Sequence, residues 1–226
     1  MHLTPRGAPQ GHRPAGGAAI DISADTVRIA PGGTVLDASR LPRGAWVYDF
    51  SVVRGDGSTS MGSQVRVGIR DTTLPEGPGL VIRRFSETSR GPVSIVSLLL
   101  VAGMRPLREA YQGPDGEVNA SWIGSTTAGQ FSPDSAAFSD MQLVTLFGSA
   151  TGGAANFTTT RAVLNPGRTS SGSATVTSKM ESGKRIMTLK SGELEYVLTY
   201  RADGLLFSRT TRMFDGGTIT EQLVGG

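Results

Sequence analysis

The chain of 226 residues has no cysteine. Disulfides, thiolate nucleophiles and cysteine-held metals are therefore excluded. Histidine is almost missing as well: His2 and His12 are the whole supply, and both fall in the Pro-, Gly- and Arg-containing stretch at the start. A Ser-His-Asp triad inside a folded body is ruled out, and a zinc site there would have to be built from carboxylates alone. No long apolar run is present either. The longest, Ile95–Met104, falls well short of the ~20 residues a membrane helix needs. Residues 1–17 carry no apolar middle of the kind a signal peptide requires. On these grounds the chain reads as cytoplasmic, although one whose signal peptide had been removed for export would read the same. Charge of one sign is also scarce, with a net charge of +3. Arg66, Arg70, Arg83, Arg84, Arg161, Arg209 and Arg212 are dispersed along the chain rather than gathered in a run, so no nucleic-acid partner is expected.

What the chain does contain is a succession of short segments in which apolar residues alternate with polar ones, closed by Gly, Asp or Pro turns. In Ala45–Phe50, the residues Trp46, Tyr48 and Phe50 point one way; in Glu193–Tyr200, Leu194, Tyr196, Leu198 and Tyr200 do the same. Side chains alternate across a strand, so this period of two indicates half-buried antiparallel β structure. A hairpin is expected between 45–54 and 59–70, followed by strands near 80–87, 92–102, 105–112 and 117–124. After Ser132 the period changes. Pro133 suits a first helical turn with Ser132 as its cap, and Ala137, Met141, Val144 and Phe147 fall at helical spacing. One helix is expected over 133–148. Six more strands follow, at 157–165, 171–181, 184–190, 193–201, 205–214 and 218–224. The fold class expected is all-β, an antiparallel up-and-down barrel of about eight to twelve strands with that one helix. Residues 1–17 are expected to be a disordered tail, and 18–226 a single barrel domain.

A barrel of about ten strands or more encloses a chamber rather than filling itself with side chains. The aromatics Trp46, Tyr48, Phe50, Trp122, Tyr196 and Tyr200 are the candidates to line it, the tyrosines giving an apolar wall with one polar tip each. Core packing is the alternative role for all six. With no Cys and no His in the body, chemistry would fall to Tyr, Asp, Glu, Arg and backbone groups. Glu109 shares a strand face with Leu107 and Tyr111. If that face is interior, Glu109 is a buried acid beside a phenol, with a raised pKa that suits acid–base work; the alternative is an outward face or an ion pair with an arginine. Arg209 lies between Phe207 and Thr211 on a face with Leu205 and Met213. Turned inward it needs a partner, such as Glu109, a Trp, or a ligand carboxylate or enolate.

Gly44-Ala45-Trp46 opens the first strong strand, and this G-x-W resembles the signature of lipocalins and other calycins. The resemblance implies that Trp46 plugs the closed end of a barrel and that Arg209 or Arg212 stacks across it. The chain departs from that family in its strand number and in a helix that precedes the last six strands. A sheet with one helix is also similar to the open-barrel lipid carriers of the bacterial envelope, and to the barrel-shaped cyclases of polyketide pathways, which fold a flexible substrate without a cofactor. Two functions are carried forward. One is a cofactor-independent cyclase acting on a flexible, apolar, polyketide-like substrate, with Glu109, Tyr111 or Arg209 polarising a carbonyl. The other is a carrier of a lipid or another apolar small molecule, which needs the chamber alone. Neither needs a metal or a cofactor, and the sequence leaves a homodimer open.

Overall fold

Alternation of apolar and polar residues does produce strands along most of the described part of the computed structural model, which describes residues 26–123, 130–153, 155–213 and 215–226. The strands, numbered in chain order, are β1 (Thr26–Ile29), β2 (Gly44–Val53), β3 (Thr59–Met61), β4 (Val65–Leu74), β5 (Gly77–Thr88), β6 (Gly91–Leu100), β7 (Arg105–Gly113), β8 (Gly116–Ser121), β9 (Gln130–Phe131), β10 (Ala137–Ser139), β11 (Asn156–Asn165), β12 (Arg168–Glu181), β13 (Lys184–Ser191), β14 (Leu194–Tyr200), β15 (Leu206–Arg212) and β16 (Thr218–Gly225). Among the described residues a single α-helix, α1, spans Asp140–Leu146 and runs on into a 3-10 turn, Phe147–Ser149. The expected tail, residues 1–17, lies outside the described residues.

All the described strands belong to one sheet, in the order β1-β11-β12-β13-β14-β15-β16-β2-β4-β5-β6-β7-β8-β9, with β10 also on β11 and β3 also on β2. It consists of two up-and-down antiparallel meanders, β2–β8 and β11–β16. They are fused where the last strand pairs with β2, Glu221 opposite Phe50 and Leu223 opposite Tyr48. The sheet is not closed by hydrogen bonds. Its far ends approach through side chains instead: Val118 and Ala120 of β8 pack with Ala162 and Leu164 of β11, with Ala137, Trp122 and Phe131 between them. Closure would demand that β8 and β11 pair directly. The outer edge of β11 is already occupied by two short parallel strands, β1 beside Asn156–Thr159 and β10 beside Thr160–Ala162. Short covering strands shield most of an edge that closure would otherwise remove.

The structure departs from two sequence expectations. Residues 133–148 do not form one helix. The Ala136 and Ala137 amides donate to Asp134 in a turn, Ala137–Ser139 is strand, and the helix begins only at Asp140. Pairing with β11 satisfies the backbone of Ala137–Ser139 better than an isolated helical turn would. The true cap is Ser139, in a capping box: its hydroxyl accepts from the Gln142 amide, and the Gln142 side chain accepts from the Ser139 amide at 2.9 Å. The strand expected over 59–70 is also broken, at Gly62–Gln64. The Phe50 ring lies so close over Gly62 that a Cβ there would sit 2.1 Å from Phe50 Cδ1.

The helix is buried inside the curl of the sheet and tied to both meanders. On one side the Gln142 amide nitrogen donates to Ser97 Oγ of β6 at 2.7 Å, and Ser139 Oγ donates to Glu109 of β7 at 2.6 Å. On the other, the Tyr200 hydroxyl of β14 donates to the Val144 carbonyl at 2.6 Å. Arg185 and Arg40 donate to the Ala150 carbonyl just past the helical run, where cations suit the dipole. Gly148, in the 3-10 turn, presses on the β14–β15 turn so closely that a Cβ would lie 1.9 Å from the Gly204 carbonyl oxygen. Neither backbone can retreat, since Gly204 itself lies against the Arg40 carbonyl. Gly148→Ala is expected to cost about 2 kcal/mol, read as a lower urea midpoint at unchanged slope.

Candidate functional site

Opposed residues in an antiparallel pair share a face, so the strand register lays out the inner wall row by row. One row runs Trp46, Val67, Arg84, Ile95, Tyr111 and Val118 across β2, β4, β5, β6, β7 and β8. The adjacent row carries Ile69, Ile82, Ser97, Glu109 and Ala120. In the other meander, Met187, Leu198, Arg209 and Glu221 line up and meet Phe50. These rows, the helix and the Leu41–Pro42 segment enclose a cavity of about 390 Å³. That falls in the range of roughly 300–1,000 Å³ typical of small-molecule sites.

Six of the residues singled out from the sequence lie in its wall: Trp46, Tyr48, Glu109, Tyr111, Tyr196 and Arg209. The other three do not line this cavity. Phe50 faces a second, broader hollow of about 700 Å³ beyond Arg84. Trp122 packs in the seam between β8 and β11, where its indole donates to the Ala137 carbonyl at 2.8 Å. Tyr200 is fully buried against the helix. Among the described residues no arginine stacks on Trp46 in the way expected. Arg209 lies instead over the Tyr196 ring, 4.4 Å from its centre, and Arg212 is exposed.

Glu109 is interior, with 4% of its surface exposed. Burial pushes its carboxyl up to about 7, the Ser139 and Ser97 hydroxyls pull against that shift, and the Asp140 charge adds to it. Among the described residues it has no cationic partner, and at neutral pH it is poised between acid and carboxylate.

The remaining charges come in interlocked pairs. Arg84 grips both oxygens of Glu221, at 3.0 and 2.5 Å. Burial pushes the Glu221 carboxyl up, but the guanidiniums of Arg84 and Arg209 outweigh this and hold it below the ordinary carboxylate value. Arg161 grips both oxygens of Asp140 at the start of the helix. The Tyr196 hydroxyl donates to Asp140 at 3.3 Å, and burial raises its phenol above the ordinary value.

The Tyr48 hydroxyl is not free to meet a ligand. It is buried and donates to the Leu206 carbonyl at 2.9 Å, and burial lifts its pKa far above the ordinary phenol. Tyr48→Phe would strand that carbonyl. A loss of about 1–2 kcal/mol of stability is expected, with ligand binding unchanged by calorimetry.

Sequence reasoning did not pick out Arg84, Ser97, Asp140, Arg161 or Glu221 as site residues. Two of them carried a readable signal. Arg84 continues the alternation Leu80, Ile82, and Glu221 stands between Ile219 and Leu223; both therefore share a face with apolar neighbours.

No family model matches the chain, and no curated protein matches it. The G-x-W resemblance rests on Gly44-Ala45-Trp46 alone, and what the structure supports is a sheet-rich, barrel-like fold. Among the described residues no helix is long and apolar enough to cross a membrane.

Proposed function

We propose that the chain is a cofactor-independent cyclase that folds a flexible, largely apolar, polyketide-like substrate inside the cavity between sheet and helix. The observation that carries this reading is Glu109. It is a buried acid with no cation beside it among the described residues, on the wall of an aromatic-lined cavity of about 390 Å³, with its carboxyl raised to about 7. A structural carboxylate would be expected to have an arginine partner, as Glu221 and Asp140 do. An acid kept partly protonated at neutral pH can donate to a substrate carbonyl and draw electron density from the adjoining double bond. A cycloaddition then needs only that the two unsaturated segments be held together. Two π bonds become two σ bonds, no atom enters or leaves, and the product is an isomer of the substrate. Trp46, Ile69, Ile95, Leu194 and Leu205 supply the apolar wall that compacts the chain, and such positioning alone can supply several kcal/mol of the barrier.

The test is incubation with linear polyenes bearing a conjugated carbonyl. Conversion to a product of the same mass but different retention, in chirally enriched form, supports the cyclase. Binding with recovery of unchanged substrate points to the carrier instead.

A further inference from the structure

Four of the charged groups on the cavity wall and the carboxylate beside them pair off almost completely, and one arginine is left over. Arg161 and Asp140 form a two-pronged pair, and so do Arg84 and Glu221. Fork-to-fork contacts of this kind use both carboxylate oxygens. Arg209 is left with a 3.6 Å approach to a Glu221 oxygen that Arg84 already holds, and with the face of Tyr196. Its Nε is buried and has no hydrogen-bond partner among the described residues. A buried donor without an acceptor is costly to maintain, and arginine favours planar, two-oxygen acceptors. Of the remaining wall groups, only Glu109 is acidic, and it is committed to Ser139.

We propose that Arg209 is the anion-binding residue of the cavity, and that the natural ligand is an amphiphile with an apolar tail and a single negative charge shared by two coplanar oxygens. A carboxylate and the enolate of an acidic 1,3-dicarbonyl both meet this description. Three guanidiniums then face three anionic groups: Asp140, Glu221 and the head of the ligand. The raised carboxyl of Glu109 agrees with this balance, because a neutral Glu109 leaves the negative place at Arg209 to the ligand. The tail lies toward Trp46, Ile69 and Ile95, which share the same wall. This assignment deepens the cyclase reading and rests on the same cavity.

The test is titration calorimetry with four probes of equal tail length: decanoate, 2-decanoylcyclohexane-1,3-dione, decanol and methyl decanoate. Either anion is expected to bind at least about tenfold more tightly than the two neutral probes, and the stronger of the two anions identifies the head group. Arg209→Gln is expected to erase that preference while leaving decanol affinity within about twofold, and Arg212→Gln, on the exposed face of the same strand, to retain it. Glu221 keeps Arg84 in the Arg209→Gln protein. Should that variant not fold, Arg209→Lys takes its place, keeping the charge but not the planar two-oxygen grip, and is expected to lose most of the preference. Equal affinity for acid and ester, or a preference that survives Arg209→Gln, overturns the assignment of Arg209 but leaves the cyclase reading standing. Failure of all four probes to bind overturns both.

Discussion

Glu109→Gln is expected to give a protein that is more stable than the parent above neutral pH and at least about 100-fold slower in kcat. Both effects come from one carboxyl. Its ordinary value is 4.5, and in the fold it is about 7. Between these values the folded chain holds a proton that the unfolded chain has lost, so stability falls as pH rises through this window. The contribution is fully present below about 4.5 and gone above about 7. Its span is roughly 3 kcal/mol, at 1.36 kcal/mol per unit. Burial sets it, the hydroxyls of Ser139 at the start of the helix and Ser97 of β6 oppose it, and the Asp140 charge adds to it. Glutamine has the same shape and no proton to lose. Both serine hydroxyls can turn to accept from its amide, so the variant should match the parent near pH 5 and exceed it by up to the full span at pH 8–9. Denaturant melts at the two pH values read this directly. In parallel, on the proposed cyclase reading, parent turnover should decline as pH rises through about 7, because that reading makes the acid form the donor, whereas the slow variant should show a flat profile. A variant whose stability advantage is the same at both pH values would remove Glu109 from the list of titrating groups. A variant with parental kcat would remove it from the chemistry.

How much of this could be read from the sequence follows from which signals are local. Turns are local: Ser182-Gly183, Ser191-Gly192 and Ala202-Asp203-Gly204 separate the strands of the second meander where expected, and the boundaries there agree to within a residue or two except at β12, which starts three residues earlier than expected, at Arg168. Alternation is local as well, and it turned Glu109 and Tyr111 inward together. The breadth of the helix was not legible, because Ala137–Phe138 fits helical spacing and strand pairing equally. What decided for strand was the free edge of β11, more than twenty residues further along. The Ser139-Asp140-Met141-Gln142 capping box was present in the sequence as a local motif and marks the true start. Partnerships across the lumen were least legible. Arg84 and Glu221 are 137 residues apart, and they meet only because β16 closes onto β2 and carries Glu221 beside Tyr48. No pattern within either strand names the other partner.

That distant pair carries the largest stability effect expected of any single substitution in the interior. Glu221 is 3% exposed and is the counterion of two arginines. Breaking a buried pair from one side leaves an uncompensated charge and costs about 3–5 kcal/mol. In Glu221→Gln two guanidiniums are stranded side by side, so the upper part of that range applies. Arg84→Met is the milder change, because Glu221 keeps Arg209 and the methionine fills the stem's volume. Denaturant midpoints should therefore fall in the order parent, Arg84→Met, Glu221→Gln. The order matters more than the sizes: it separates a shared carboxylate from a simple pair, in which the two variants would cost alike. An anionic ligand bound at Arg209 should also restore part of the stability lost in Glu221→Gln, since it supplies the negative charge the substitution removed. By linkage the gain grows with free ligand concentration, reaching about 2.7 kcal/mol at a hundredfold excess over Kd. Decanoate should thus raise the melting temperature of Glu221→Gln by more than that of the parent, and methyl decanoate should not discriminate between them. If decanoate stabilises both proteins equally, the head group lies away from Arg209 and the ion cluster serves the fold alone.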